Sequence, residues 1–334
     1  MASISDSPYA ALVVEKLSDD FSGVAVRELP PPPPPGLAEV LVRVRAAALN
    51  FPDVLLTQGN YQFKPDLPFV PGLEAAGEVL AVGAGVDHVK PGDAVVAQTR
   101  QGGALARTMT AEVAHVRPMP ANLDWAEAAS YSAAGMTAYV SLVHRAQLAA
   151  GEALLVHGAS GGTGLATVQL GRHLGARVIA TGRSPEKLEM ARAMGAHEVV
   201  QIGANLRDEI LRLTDGQGAD VVFDPVGGDV FDASLRALAW GGRLLVVGFV
   251  GGRIADLKSN YVLIKNVSVI GVRAGEFVWR DRARGARVIQ EVDALAAKGV
   301  LKPHVAARFA LQDSVQALRM LARGQAIGKI VVTM

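Results

Sequence analysis

HGASGGTGLATVQ, residues His157 to Gln169, decides the architecture. The apolar run ALLV (153–156) leads into it, and a helix-like apolar pattern leads out. Gly158, Gly161 and Gly164 fit the spacing G-x-x-G-x-x-G, with Gly162 added. A glycine repeat alone says little. Here a strand feeds it, a helix leaves it and a second strand begins soon after, the context that marks a dinucleotide-binding turn. Glycine lets the chain turn tightly and lets backbone approach a ligand closely. The helix N-terminus then offers unpaired amides and a partial positive charge to a pyrophosphate. Ser160, Gly161, Gly162, Thr163 and Gly164 are the expected contacts.

Downstream, strand and helix text alternate. ARVIAT (176–181) reads as a second strand and SPEKLEMARAMG (184–195) as a helix, with Ser184 as N-cap and Pro185 as its first residue. HEVVQI, NLRDEILRLTDG, ADVVFDPV, GGDVFDASLRALAWG, GRLLVVGF and NVSVIGV continue the series to a sixth strand. This spacing predicts an α/β domain with a doubly wound parallel sheet.

The end of the second strand selects the nucleotide. NAD-binding turns usually place Asp or Glu there to hold the ribose hydroxyls. This chain has Thr181, Gly182, Arg183 and Ser184 there, all expected cofactor contacts, with no carboxylate at the strand end. Arg183 suits a 2′-phosphate, aided by Ser184 and Lys187. Glu186, the nearest acid, complements the dipole at a helix start. The expected cofactor is NADP(H).

From about Tyr9 to Asn122 the text is strand-like and turn-rich. EVLVRVRAAAL (39–49) alternates and then turns apolar, as a half-buried strand entering a core does. Pro30 to Pro35 must be extended, and a stiff connector explains them. After about Arg273 come two amphipathic segments, ARVIQEVDALAAKGVL and LQDSVQALRMLARG, and a last strand, KIVVTM. The expected division is 1–125 for a first domain, 126–272 for an inserted nucleotide-binding domain, and 273–334 for the return to the first.

The 334 residues suffice for two such domains. With 33 Lys and Arg against 32 Asp and Glu, the formal charge of +1 offers no footprint for nucleic acid or an anionic membrane. Apolar runs are short, well under the roughly 18 residues of a membrane span. The start carries no basic region followed by an apolar one, so no signal peptide is expected, and the expected location is cytoplasmic. The chain has no cysteine, which removes disulfides, thiolate nucleophiles and Cys-ligated zinc together. Its seven histidines show no metal-ligand spacing, so no metal is expected; His157 is read as packing beside the strand end. No Tyr-x-x-x-Lys or Ser-x-x-x-Lys pair stands where a short-chain dehydrogenase carries one.

GEALLVHGASGGTGLATVQLGR (151–172), ALNFPDVL (48–55), PGLEAAGEV (71–79), GMTAY (135–139), DPVGG (224–228), VVGF (246–249) and GKIVV (328–332) follow in order. Together they resemble the medium-chain dehydrogenase/reductases, specifically the zinc-free quinone oxidoreductase (zeta-crystallin-like) branch, over nearly the whole chain. The resemblance implies a GroES-like, mostly-β catalytic domain with an inserted Rossmann domain, and nicotinamide in the cleft between them. Zinc-dependent relatives carry a ligand Cys where Asn50 stands and His-Glu where this chain has Leu73-Glu74. A lone carboxylate does not hold catalytic zinc.

A metal-free site suits an acceptor that delocalises its own negative charge, such as a quinone or an α,β-unsaturated carbonyl. In that setting Asn50 is expected to orient nicotinamide or substrate through its amide, and Tyr61 to line the acceptor pocket and donate a hydrogen bond there, the two being the expected catalytic residues. By resemblance Thr137 approaches the nicotinamide end, Gly248, Phe249 and Val250 meet the cofactor after the fifth strand, and Lys329 reaches it from the C-terminus. Asp224 has two readings, a ribose ligand or a turn former. Relatives often carry a Tyr where Ile202 stands, so the NADP(H) expectation rests mostly on Arg183.

The expected activity is NADPH-dependent quinone reduction. The alternatives are an enoyl reductase of activated alkenes such as an acrylyl-CoA-like thioester, and a non-enzymatic NADPH-binding protein. A CoA thioester needs a basic groove, for which Arg273, Arg280, Arg282, Arg284 and Arg287 are candidates against the alternative of a solvated helix face. The apolar sixth strand, read as a sheet edge, is the expected seam of a homodimer.

Overall fold

The computed structural model describes residues 7–334. The chain divides into two compact units: the segment up to Ser132 together with Pro303–Met334, and Ala133–Lys302.

The first unit opens with an antiparallel ribbon, β1 (Tyr9–Val14) and β2 (Val24–Leu29). After the extended proline run come β3 (Glu39–Leu49), α1 (Phe51–Gln58), β4 (Glu74–Val82), β5 (Ala94–Gln98), β6 (Thr108–Glu112), β7 (Val116–Pro118) and a short α2 (Trp125–Ala128). In β3 only Arg43 and Arg45 are exposed, and the run from Ala46 to Leu49 is buried, as its pattern predicts. Helix α1 lies inside text read as strand-like. Pro52 near the helix start and Asp53, which accepts a hydrogen bond from the Asn50 amide at 2.8 Å, explain why a helix begins there.

The second unit begins within α3 (Ser132–Tyr139), which continues as a π-helical turn over Val140–Arg145. Then follow β8 (Ala153–Val156), α4 (Gly162–His173), β9 (Arg177–Gly182), α5 (Pro185–Ala193), β10 (Glu198–Gln201), α6 (Leu206–Leu213), β11 (Ala219–Asp224), α7 (Gly228–Ala237), β12 (Leu238–Val246), α8 (Ser259–Lys265), β13 (Ser268–Gly271), α9 (Ala274–Arg280) and α10 (Arg282–Ala297). The sheet order is β10-β9-β8-β11-β12-β13, with every pair parallel. That is the doubly wound order, reversing between β8 and β11. Helices cover such a sheet on both faces, which is why β8 is buried throughout and reads as an unbroken apolar run.

Three boundaries differ from expectation. The segment GGDVFDASLRALAWG is not helical to its end: α7 stops at Ala237 and β12 starts at Leu238, with Gly241 at φ +73° and a register shift opposite β11. The return to the first unit falls at Pro303 rather than 273, and the first boundary at Ser132 rather than 125. The reason is packing. Val292 of α10 and Leu301 press on Gly135 of α3, where a Cβ would lie 3.1 and 3.0 Å from them.

The chain then completes the first unit with β14 (Val305–Ala310), α11 (Ser314–Ala322) and β15 (Lys329–Thr333). The main sheet runs β14-β15-β3-β4-β5-β7, with β6 also on β3. Strand β15 pairs antiparallel with β3, setting Ile330 opposite Leu49. This pairing brings Lys329 beside Asn50. Among the described residues no helix is long and apolar enough to cross a membrane.

Candidate active site

The glycine turn sits at the carboxyl end of β8, next to the loop that follows β11, where the strand order reverses. Gly158 has φ +58°, a conformation that disfavours any side chain, and its missing Cβ would lie 3.4 Å from Pro225. At Gly164 a Cβ would fall 2.3 Å from the Gly158 carbonyl oxygen, so only glycine lets α4 start this close to the turn. Gly161 is the N-cap of α4, and Ser160, Gly161, Gly162 and Thr163 are partly exposed. Backbone amides at the start of a 12-residue helix are thus available to an anion.

At the end of β9, Ser184 caps α5 as its sequence position predicts, accepting from the Lys187 amide. Arg183 is exposed, and its guanidinium makes no ion pair among the described residues. Gln201 donates to the Arg183 carbonyl at 3.0 Å, and the Ile202 amide donates to the Gly182 carbonyl at 2.9 Å.

Thr181 is fully buried, and its hydroxyl meets Nδ1 of His157 at 2.6 Å. On the other side Nε2 of His157 meets the Ser234 hydroxyl at 2.6 Å, and that hydroxyl donates to the Val230 carbonyl at 2.7 Å. Because Ser234 uses its proton on Val230, it accepts from Nε2–H. Nδ1 is then bare and accepts from Thr181. Burial alone holds the His157 pKa down at about 3, so the ring is neutral. His157 is a pin between β8, β9 and α7 beneath the glycine turn. Sequence reading placed it beside the strand end but had no signal for Ser234.

Asp224 resolves toward the turn. Its Oδ1 accepts from the Val226 and Gly227 amides at 2.8 and 2.9 Å, and burial raises its pKa despite those two bonds. The Val250 amide donates to the Pro225 carbonyl at 3.0 Å, so the two loops after β11 and β12 are tied together. Gly248 is partly buried there, while Phe249 and Val250 are 44% and 48% exposed.

The first unit holds the second cluster. Lys329 is 5% exposed, and its Nζ donates to the Leu49 carbonyl at 3.3 Å, to Asn50 Oδ1 at 2.7 Å and to Glu74 Oε1 at 3.0 Å. An ammonium has three donors, so its capacity is engaged inside the unit. Asn50 Nδ2 also donates to Glu74 Oε1, at 3.0 Å. Asp53 is fully buried and ties the helix to the chain before β4, accepting from the Asn50 and Gly72 amides at 2.8 and 2.9 Å. Burial pushes its pKa up to about 6 against the pull of those amides and of Lys329. The sequence marked Asn50 and Lys329 separately; their meeting, with Glu74 between them, depends on the β15–β3 pairing. Tyr61 lies in the loop after α1, partly exposed, and Thr137 lies on α3, its hydroxyl donating to the Ala133 carbonyl at 2.8 Å.

The doubly wound sheet, with its glycine turn opening α4 where the strand order reverses, has the form of a dinucleotide-binding domain. Residues 36–150 match the alcohol dehydrogenase GroES-like domain family, and residues 162–294 match the family described as zinc-binding dehydrogenase. The quinone oxidoreductase-like protein 2 homolog of Nematostella vectensis is 36% identical over 300 residues, spanning 89% of this chain and 82% of that protein. The solved Escherichia coli quinone oxidoreductase complexed with NADPH superposes with a TM-score of 0.88 at 27% identity, covering 97% of this chain and 100% of that one. The mycobacterial protein Rv1454c complexed with NADPH gives 0.90 at 28% identity over the same shares. The chain belongs to the medium-chain dehydrogenase/reductase superfamily and, within it, to the quinone oxidoreductase type.

The residues here do not fit the zinc of the family description. A cation already sits on Glu74, and Asn50 and Leu73 supply no thiolate or imidazole. Among the described residues no group of three or more His, Cys, Asp or Glu is placed to hold a metal ion.

Proposed function

We propose that this protein is a zinc-independent NADPH:quinone oxidoreductase, reducing a quinone or a similar conjugated carbonyl. The observation that carries the reading is the buried Lys329 ammonium on Glu74 and Asn50, at the positions where zinc-dependent relatives place metal ligands. Without a Lewis acid, the acceptor itself must spread the charge that hydride addition leaves on it. Quinones and enones do this.

The chain binds NADP(H), which supplies a hydride when bound. The glycine turn and the start of α4 receive the pyrophosphate, and Arg183, with Ser184 and Lys187, receives the 2′-phosphate. Thr181 acts from below the turn through His157. Asn50 and Tyr61 contact the acceptor, and Thr137 and the 248–250 loop flank the cofactor. Holding the two reactants in register is the main contribution, worth about 7–11 kcal/mol at best.

One observation favours a second reading, an enoyl thioester acceptor. Arg145, Arg273, Arg280 and Arg284, with Phe277, line a pocket of about 500 Å³ in the second unit. Arg280 and Arg273 pair with Glu276, and Arg284 pairs with Asp281 and stacks on Phe277 at 5.1 Å, which leaves an excess of positive charge suited to a phosphorylated ligand.

The test is NADPH oxidation against 1,4-benzoquinone, 2-cyclohexenone and crotonyl-CoA, with a chelator and with free CoA as competitor. Chelator-resistant turnover favouring the quinone supports the leading reading. Turnover restricted to the thioester, inhibited by CoA and weakened by Arg280→Ala/Arg284→Ala, replaces it with the second.

A further inference from the structure

Of the four polar side chains in the Asn50 cluster, three are almost wholly buried: Asp53, Glu74 and Lys329 at 0%, 2% and 5% exposure. Asn50 alone is partly exposed. The network also dictates which way its amide points. Oδ1 receives the Lys329 ammonium, and Nδ2 gives a proton to Glu74. Turning the amide over would set a donor against the ammonium and an acceptor against the carboxylate, both unfavourable. The assignment follows from the partners on either side. Asn50 Oδ1 is capped by a cation. One Nδ2–H is used on Glu74, and the second has no partner among the described residues.

What this buried cluster offers to a ligand is therefore one oriented N–H donor. We propose that Asn50 donates this N–H to the carbonyl oxygen of the acceptor, with Lys329 and Glu74 as positioning residues that forbid the opposite amide orientation. The inference rests on the reductase reading above and assigns Asn50 its polarity within it.

The chemistry follows. Hydride addition to the conjugated acceptor oxidises the reduced nicotinamide and pushes the displaced π-electron pair onto the acceptor oxygen. The Asn50 N–H meets that oxyanion, and a proton from water then completes the enol or quinol. A donor aimed at developing charge acts most where the acceptor stabilises that charge least. Loss of the donor should thus damage enone reduction far more than benzoquinone reduction. An Asn50 that instead accepted a hydrogen bond from the nicotinamide amide would keep working as a carboxylate.

The experiment compares wild type, Asn50→Asp, Asn50→Ala and the double variant Glu74→Gln/Lys329→Met, which removes one buried charge of each sign together so that neither is left without the other. Expected for Asn50→Asp and Asn50→Ala is a fall in kcat of about 100-fold or more with 2-cyclohexenone, under about 10-fold with 1,4-benzoquinone, and NADP+ affinity within about twofold. The double variant, which frees the amide, shows a smaller loss in the same direction. A second readout uses NADP+-loaded protein, which cannot turn over. The carbonyl stretch of bound 2-cyclohexenone lies at lower frequency in wild type than in Asn50→Asp. Equal losses with both acceptors, retained enone activity in Asn50→Asp, or an unchanged stretch would overturn the assignment. If wild type reduces neither acceptor, the reductase reading fails, and the carbonyl stretch still decides whether Asn50 donates.

Discussion

Lys329 and Glu74 meet with Nζ 3.0 Å from Oε1, their side chains 6% and 2% exposed. Each charge was removed from water to reach this position, and each is tolerable only because the other is present. The single variants Lys329→Met and Glu74→Gln should each cost about 3–5 kcal/mol, since either leaves a lone buried charge or an unmatched donor set. The double variant should cost clearly less than the sum. Chemical denaturation of the four proteins measures the coupling, and additive losses would show that the pair is not a unit.

His157 makes stability depend on pH. Its folded pKa of about 3 lies below the ordinary value of 6.5, so the unfolded chain binds the extra proton first. The stabilisation is complete above about pH 6.5 and drains away as pH falls toward 3. Between pH 6.5 and pH 5 the loss should approach about 2 kcal/mol. His157→Gln should be less stable at pH 7.5 and show a flatter slope over this window. Asp53, its pKa raised to about 6, takes up a proton in the folded chain over the same window and offsets part of this loss, so the difference between the two proteins is the test: equal slopes for wild type and His157→Gln would contradict the neutral, buried ring.

Arg183 is exposed and has no protein partner for its guanidinium among the described residues, as expected of a side chain held in reserve for a ligand phosphate. Arg183→Ala should raise the KM for NADPH about 10- to 100-fold, the worth of charge-assisted hydrogen bonds, and leave the KM for NADH within about twofold. Equal small changes for both cofactors would remove Arg183 from the site.

Strand β13 ends the parallel sheet, and α8 just before it exposes Leu263 at 82% and Ile264 at 63%. We propose that this edge pairs with its twin to form a homodimer, because an apolar edge strand is a template for pairing. Sedimentation should report a dimer at micromolar concentration. Ile270→Lys, which sets a charge on that edge, should shift the protein to monomer. A wild-type monomer would refute the seam.

Much of this molecule was readable along the chain because its signals are local. The strand before His157, the glycines, the Ser184-Pro185 helix start and the alternation that follows each lie within a few residues. Arg183 was readable for the same reason: its position at the strand end is counted along the backbone. The end of α7 was misplaced because Leu238 and Ala239 are as apolar in a helix as in a strand, and only the pairing of β12 with β11 decides between them. The domain return was misplaced because amphipathic α10 needs some core, and its sequence does not say which one.

By itself the sequence determined the alternation of strands and helices from β8 to β12, the nucleotide-binding turn and the absence of cysteine, since backbone geometry and composition need no distant partner. The tertiary structure alone decided the polar cluster. Asn50, Glu74 and Lys329 come from an early helix start, a middle strand and the last strand, and no spacing rule links them. Only the antiparallel pairing of β15 on β3 puts a lysine against a carboxylate and an amide in a dry interior, where each polar atom must find a partner and the orientation of Asn50 is thereby set.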